Sequence, residues 1–356
     1  MKNPKNVLRR HGKTLLLAAA AALLVGTPAA VCLAQTDAAP VDPPPPSAVA
    51  DTAFTIAVLP DTQRDIHQDD QVESAVGIDR FNNRLTYLRD HKAEFNLQLV
   101  MQVGDLQDWD TPLHMQYERA SAGLKTLDDA HIPYVLCIGN HDTAAVAPGG
   151  SAFDPAVLPG YSAIEYVRKT ETWNHYYPPA RFPGMVTYEP AKTDNAYRTF
   201  TLGKLKFLII NYEIWPRLGV IDWMINVVAS HPDHNVVLLT HSYLTDKSNI
   251  FQKNGGYGAN TPQFIYDKLV SKYPNVKLIF CGHTGNSGYR VDEGVGGNKV
   301  YSFLDCYHDT TNNWMRLLTI DPVKKTISTK VYSPFTNKTR PEPTANVDIA
   351  DVSWIE

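Results

Sequence analysis

The chain has 356 residues, a formal charge of -4 and a hydrophobic fraction of 44%. That is enough for one large domain or two small ones around a real core, which excludes disorder as the main state. Acids and bases are interspersed, so no basic footprint advertises a nucleic-acid backbone or an anionic membrane as partner.

At the amino terminus Lys2, Lys5, Arg9, Arg10 and Lys13 precede an apolar run from Leu15 to Val25 followed by small residues, the pattern of an export signal. It predicts a signal peptide over 1-34, cleaved near Ala34, and a secreted or periplasmic mature protein. The run is short for a span of roughly 20 residues and is broken by Gly26 and Pro28, which disfavours a retained anchor. Arg9-Arg10 leaves twin-arginine export open, and Cys32 leaves a lipid-modified first residue open. From 35 to 52 the chain turns to Ala, Asp and Pro, with Pro43 to Pro46 consecutive, predicting an extended tether. A folded domain is expected over 53-335 and a loosely packed tail over 336-356.

Within the domain, short aliphatic runs bounded by turn residues predict strands at Phe54 to Leu59, Leu97 to Val103, Ile132 to Ile138, Phe207 to Asn211, Asn235 to Thr240 and Val276 to Cys281. Helices are expected over Arg80 to Ala93, Met115 to Ala130, Gly219 to Ser230 and Pro262 to Lys272. Tyr301 to Cys306, Arg316 to Ile320 and Thr326 to Tyr332 read as a closing antiparallel meander. The alternation is that of an α/β protein. Outside the leader the cysteines are Cys137, Cys281 and Cys306, an odd number in an oxidising compartment, and all three read as buried and unreactive.

The residues that carry chemistry stand directly after these strands. Asp61-Thr62-Gln63, Gly104-Asp105, Gly139-Asn140-His141-Asp142, His241 and Gly282-His283 each place a metal-competent side chain just beyond a strand's carboxyl end. Ligands of open α/β sheets bind there, because side chains distant in sequence converge at those ends. A lone Asp after a strand is usually a helix cap, but an ordered series of such residues points to a site. Carboxylate, amide oxygen and imidazole together suit Zn, Fe or Mn.

The order Asp-x-Gln, Gly-Asp-x-x-Asp, Gly-Asn-His-Asp, Thr-His, Gly-His over about residues 54 to 335 resembles the calcineurin-like metallophosphoesterase superfamily. The resemblance implies a four-layer α/β/β/α sandwich of two mixed sheets. It further implies two divalent metal ions (Mn, Fe or Zn), and hydrolysis of a phosphomonoester or phosphodiester by a metal-bound hydroxide. Asp105 would bridge the ions, with Asp61 and Gln63 on the first and Asn140, His241 and His283 on the second. His141 would touch substrate together with Asn140 and protonate the leaving group, its ring oriented by Asp108. The substrate would be a phosphorylated small molecule or a phosphoprotein.

Two ligands of the usual pattern are altered, both on the first metal. Gln63 replaces a His, and Gly285 stands where a second His is common. Either that site is completed by water or another residue fills in, His308 and Asn286 being the candidates. A retired fold that binds a phosphorylated ligand or a surface partner is the competing reading. Around the site, Trp173 to Arg181 and Asn254 to Tyr257 are expected on the rim, with Arg181 and Tyr257 as substrate contacts. Equally, Tyr176, Tyr177 and Phe182 would form a packed aromatic cluster and Arg181 a surface ion pair.

Overall fold

The computed structural model describes residues 52–66, 75–153 and 158–356. The expected leader and, apart from Thr52, the expected tether lie outside the described residues. Among the described residues no helix is long and apolar enough to cross a membrane.

In chain order the first half runs β1 (Phe54–Leu59), α1 (Gln63–Ile66), α2 (Ala75–Asp90), β2 (Leu97–Gln102), α3 (Met115–Asp129), β3 (Tyr134–Leu136), the hairpin β4 (Val146–Ala147) and β5 (Ser151–Ala152), α4 (Ala163–Tyr166) and α5 (Glu171–Tyr176). It continues through β6 (Val186–Thr187), β7 (Ala196–Leu202), β8 (Leu205–Tyr212), α6 (Leu218–Ser230), β9 (Asn235–Thr240) and α7 (Pro262–Ile265). The last stretch is all strand: β10 (Val276–Cys281), β11 (Ser287–Glu293), β12 (Lys299–Asp305), β13 (Met315–Asp321), β14 (Thr326–Ser333), β15 (Lys338–Thr339) and β16 (Asp348–Ile349).

Two seven-stranded mixed sheets result, ordered β15-β14-β13-β1-β2-β3, with β16 beside β14, and β11-β12-β10-β9-β8-β7-β6. The side-chain period of a strand explains the layers. Phe54, Ile56 and Val58 of β1 and Phe207 and Ile209 of β8 point into one shared core between the sheets. The alternate residues Ala57 and Leu59 turn outward onto Phe81, Leu85 and Leu88 of α2 and Leu124 and Leu127 of α3. Leu208 and Ile210 turn outward onto Val220, Ile221 and Met224 of α6. Strands buried on both faces read as continuous apolar runs, as these do. The protein is therefore the α/β/β/α sandwich that the motifs imply.

Two expectations are corrected. The run at Tyr301 to Cys306 does not open a three-stranded meander. β12 pairs in parallel with β10, Leu304 opposite Cys281, and only β13 and β14 form an antiparallel pair, added to β1 in the other sheet. The chain crosses between sheets after β12. A buried ion pair spans that crossing, Arg316 Nε of β13 lying 2.8 Å from Asp305 Oδ2 of β12.

Nor is 336-356 a loose tail. β15 and β16 both pair with β14, and Val347, Ile349, Val352 and Trp354 belong to the core between the sheets. Polarity and proline suggested solvent there, but the apolar residues are spaced along a segment that closes the sandwich edge. Trp354 meets Phe207 edge-on at 5.8 Å, and Ile355 exchanges backbone hydrogen bonds with the Asn235 amide. Trp354→Ala should accordingly destabilise the fold by roughly 3 kcal/mol in urea unfolding. An unchanged midpoint would mean that the carboxyl terminus is not part of the core.

Candidate metal centre

The strand ends meet where the two sheets abut. Asp61 follows β1, Asp105 follows β2, Asn140 follows β3, His241 follows β9 and His283 follows β10. Asp61, Asp105, Asn140 and His241 are all buried. Asp105 and His283 adopt left-handed backbone conformations, φ 51° and 77°, a region that is uncommon for non-glycine residues. Two glycines make room for the carboxylates. A Cβ on Gly139 would lie 2.1 Å from Asp105 Oδ1, and one on Gly282 would lie 1.9 Å from Asp61 Oδ1.

Asp105 is the hub. Its Oδ1 accepts a hydrogen bond from the His141 backbone N–H at 2.9 Å, while Oδ2 lies 2.9 Å from His241 Nε2. His241 Nδ1 lies 2.9 Å from the Val103 carbonyl, which fixes the proton on that nitrogen and turns Nε2 toward Asp105. Asp61 receives the His283 backbone N–H at 3.0 Å. Burial would raise the Asp105 carboxyl, but His241 and His141 outweigh it and hold the group well below the usual carboxylate range. Burial lowers His241, yet Asp105 and Asp61 push it up to about 9. His283 goes the other way, lowered to about 3 by burial and by His241 beside it, and is a neutral imidazole.

These donors fit a cation. Asn140 Oδ1 and Gln63 Oε1 are buried atoms without a hydrogen-bond partner, an arrangement that costs about 1–3 kcal/mol per group unless something else satisfies it. One ligand atom each from Asp105, His241 and His283 lies within 4.8 Å of the others, and the same holds for Asp61, Cys306 and His308. The proton held on His241 would leave when a metal binds.

His141 stands beside this cluster. Its Nδ1 lies 2.6 Å from the Asp108 carbonyl and 3.0 Å from Asp108 Oδ1, so both acceptors fix the same ring nitrogen, and Nε2 is left 4.0 Å from Asp105 Oδ2. Asp108 is fully buried. Burial lowers His141, but Asp105 and Asp108 override it and push it up to about 10. Gln63 opens α1 and gives its amide Nε2 to Asp108 Oδ1 at 3.1 Å. That helix is anchored by Asp65, paired with Arg80 and Arg84 of α2. Asp142, unassigned from sequence, accepts from the backbone N–H groups of Gln107 and Gly139 and so ties the loops after β2 and β3 together.

The rim residues divide. Tyr257 stacks on Trp215 at 5.5 Å, and Trp215 meets His283 edge-on at 5.2 Å, which brings Tyr257 to the border of the site. Arg181 is not brought there. It bonds Tyr134 Oη, Ser121 Oγ and Asp128 Oδ2, and Tyr134 opens β3, whereas Asn140 follows the opposite end of that strand. Its guanidinium donors are engaged in fastening α3, so the expected phosphate contact is corrected to a structural one. Tyr177 and Phe182 sit in the α3-side core, with Tyr176 packed against it. Glu213, after β8, is bound by Arg217 and Asn195 and serves as no ligand. Cys137 and Cys281 are buried and free, as expected; so is Cys306, but its Sγ lies 3.1 Å from Asp61 Oδ2. Reading each cysteine alone missed it; the spacing Cys306-x-His308 just past a strand was the available signal.

The family model described as calcineurin-like phosphoesterase matches residues 54–286, more than half of the chain. The uncharacterised YvnB protein of Bacillus subtilis (strain 168) is 24% identical over 272 residues, which cover 72% of this chain and 18% of YvnB. The chain thus spans less than a fifth of that relative's length. Among solved structures, a dimetal phosphatase from Danio rerio superposes with a TM-score of 0.50 at 11% identity, covering 84% of this chain and 99% of its own. That likeness is one of fold.

Proposed function

Because the chain belongs to the calcineurin-like phosphoesterase family, we propose that it is an exported, metal-dependent hydrolase of phosphomonoesters or phosphodiesters. The observation that carries this reading is the convergence of Asp61, Asp105, Asn140, His241 and His283, with the amide oxygens of Asn140 and Gln63 left bare. When bound, two divalent ions would supply an activated water and neutralise charge on the transferring phosphoryl group. Asp105 would be shared between them, Asp61 and Gln63 would hold one, and Asn140, His241 and His283 the other.

The chain's own part is alignment and proton delivery. Asp108 holds the His141 ring through Nδ1, so that Nε2, on the metal side of the ring, is the atom that hands a proton to the departing oxygen. The amide of Asn140 and the imidazole of His141, adjacent on one loop, would steady the phosphoryl oxygens. Export rests on the amino-terminal sequence pattern, and a small phosphorylated molecule or a phosphoprotein is the expected substrate.

Elemental analysis of the purified protein, with hydrolysis of an aryl phosphomonoester and an aryl phosphodiester before and after chelation, tests the reading. Near two metals per chain and chelator-sensitive turnover are expected. No turnover after adding Mn, Zn or Fe would instead support a fold retired to ligand binding.

A further inference from the structure

Gly285, where relatives often carry a second metal-binding imidazole, could carry one here only under strain. Its backbone is left-handed at φ +74°, and a Cβ would approach both Cα and Cβ of Asp246 to 3.0 Å. Asn286, the next residue, is exposed, and its carbonyl is engaged by the Cys306 backbone N–H at 3.1 Å. A protein ligand in its place is offered by the neighbouring strand.

β12 lies beside β10 in parallel register, Leu304 opposite Cys281, so the residues just past β12 reach the level of His283. Cys306 and His308 flank Tyr307 there. Tyr307 is buried in a left-handed conformation, φ 53°, and its hydroxyl donates to Asp305 Oδ1 at 2.7 Å. The second oxygen of Asp305 is held by the buried Arg316 at 2.8 Å. This scaffold turns the Cys306 and His308 side chains onto the same carboxylate. Asp61 Oδ2 is 3.1 Å from Cys306 Sγ and 3.1 Å from His308 Nε2, and Sγ and Nε2 are 3.4 Å apart. Bonds of about 2.0–2.3 Å around a four-coordinate zinc set donor separations of roughly 3.3–3.7 Å, so the triangle is already close to the size of one face of such a site. Cys137 and Cys281, by contrast, point at backbone carbonyls in the core.

We propose that Cys306 and His308, with Asp61, form the first metal site in place of the absent imidazole at 285, and that the thiolate makes it a site for zinc or ferrous iron rather than manganese. The proposal rests on the two-metal reading of the centre. On binding, the Cys306 S–H bond breaks heterolytically, the proton passes to solvent and the thiolate sulfur bonds the ion, with no change of oxidation state. Soft sulfur favours zinc or iron over manganese. The other group, Asp105, Asn140, His241 and His283, offers only nitrogen and oxygen, so the two sites would differ in metal preference.

The test is cobalt(II) titration of the metal-stripped full chain, read by absorption and by bound equivalents. Wild type should bind two equivalents and develop a thiolate-to-cobalt charge-transfer band in the near ultraviolet. Cys306→Ser should lose the band and bind one equivalent at least about 10–100-fold more weakly, since even outer partners of a ligand cost that much. His308→Ala should weaken the same equivalent and keep the band. Two equivalents in wild type without the band, or unchanged binding in C306S, would overturn the proposal; the first needs no variant to fold. Two equivalents with the band but no ester hydrolysis would uphold this site and sink the hydrolase reading. Hydrolysis without the band would do the reverse, and no bound cobalt at all would sink both.

Discussion

Asp105→Ala is expected to lose both metal ions and to lower phosphate-ester hydrolysis by more than roughly 1,000-fold, because removing even a single transition-state donor commonly costs 100–1,000-fold. The two oxygens of Asp105 face different neighbours, Oδ1 toward the His141 loop and Oδ2 toward His241. The variant also has a signature in metal-free protein. Asp105 holds His241 at about 9 against an ordinary 6.5, so their pairing contributes stability that is complete below 6.5 and is lost as pH rises toward 9. The Asp105 carboxyl is itself held below its ordinary 3.8, so the same stability is present above that value and fades as pH falls further. The variant's melting deficit in chelator should therefore be largest between about pH 4 and 6.5 and shrink toward pH 9. Metal retained in the variant at wild-type level would remove Asp105 from the bridging role.

The central strands were legible because they are buried on both faces and so spell continuous aliphatic runs, whereas the half-exposed β7 and β11 went unread; α3 and α6 begin within a residue of where pattern puts them. The metal-competent side chains were legible because the topology rule for α/β sheets converts a position after a strand into a position in space. What sequence could not give was the fate of side chains on connections. Arg181 and Tyr257 look alike as rim residues in one dimension, yet one docks onto α3 and Asp128 while the other stacks above His283 through Trp215. The loss of a ligand at Gly285 was visible, but not the crowding by Asp246 that strains one, because that depends on a distant loop, the one after β9. The apolar residues of 347–354 are too sparse to announce a strand, and they find their place only once β14 and the sandwich edge exist.

His141→Ala should leave metal content intact and reduce turnover by about 100- to 10,000-fold for an alkyl phosphate, the range associated with losing a positioned proton donor. The ring's partners set its protonation. Nδ1 faces the carbonyl and the carboxylate of Asp108, and the nearby carboxylates push the imidazole up to about 10, so in the metal-free protein it carries its proton at neutral pH. A general acid matters in proportion to how poorly the departing oxygen bears charge. The loss should be markedly smaller for an aryl phosphate with a strongly acidic phenol, which needs no proton to leave. The sign of the pH effect is likewise fixed. An acid of this kind loses activity as pH rises and it deprotonates, so the alkaline limb of the wild-type profile should be present for the alkyl ester and absent in the variant. Asp108→Asn, which keeps the shape of the side chain but replaces a charge beside Nδ1 with an amide, should move that limb to lower pH without emptying the metal sites. Equal losses for good and poor leaving groups would assign His141 to holding the phosphoryl group alone, and loss of metal in the variant would make it part of the metal cradle.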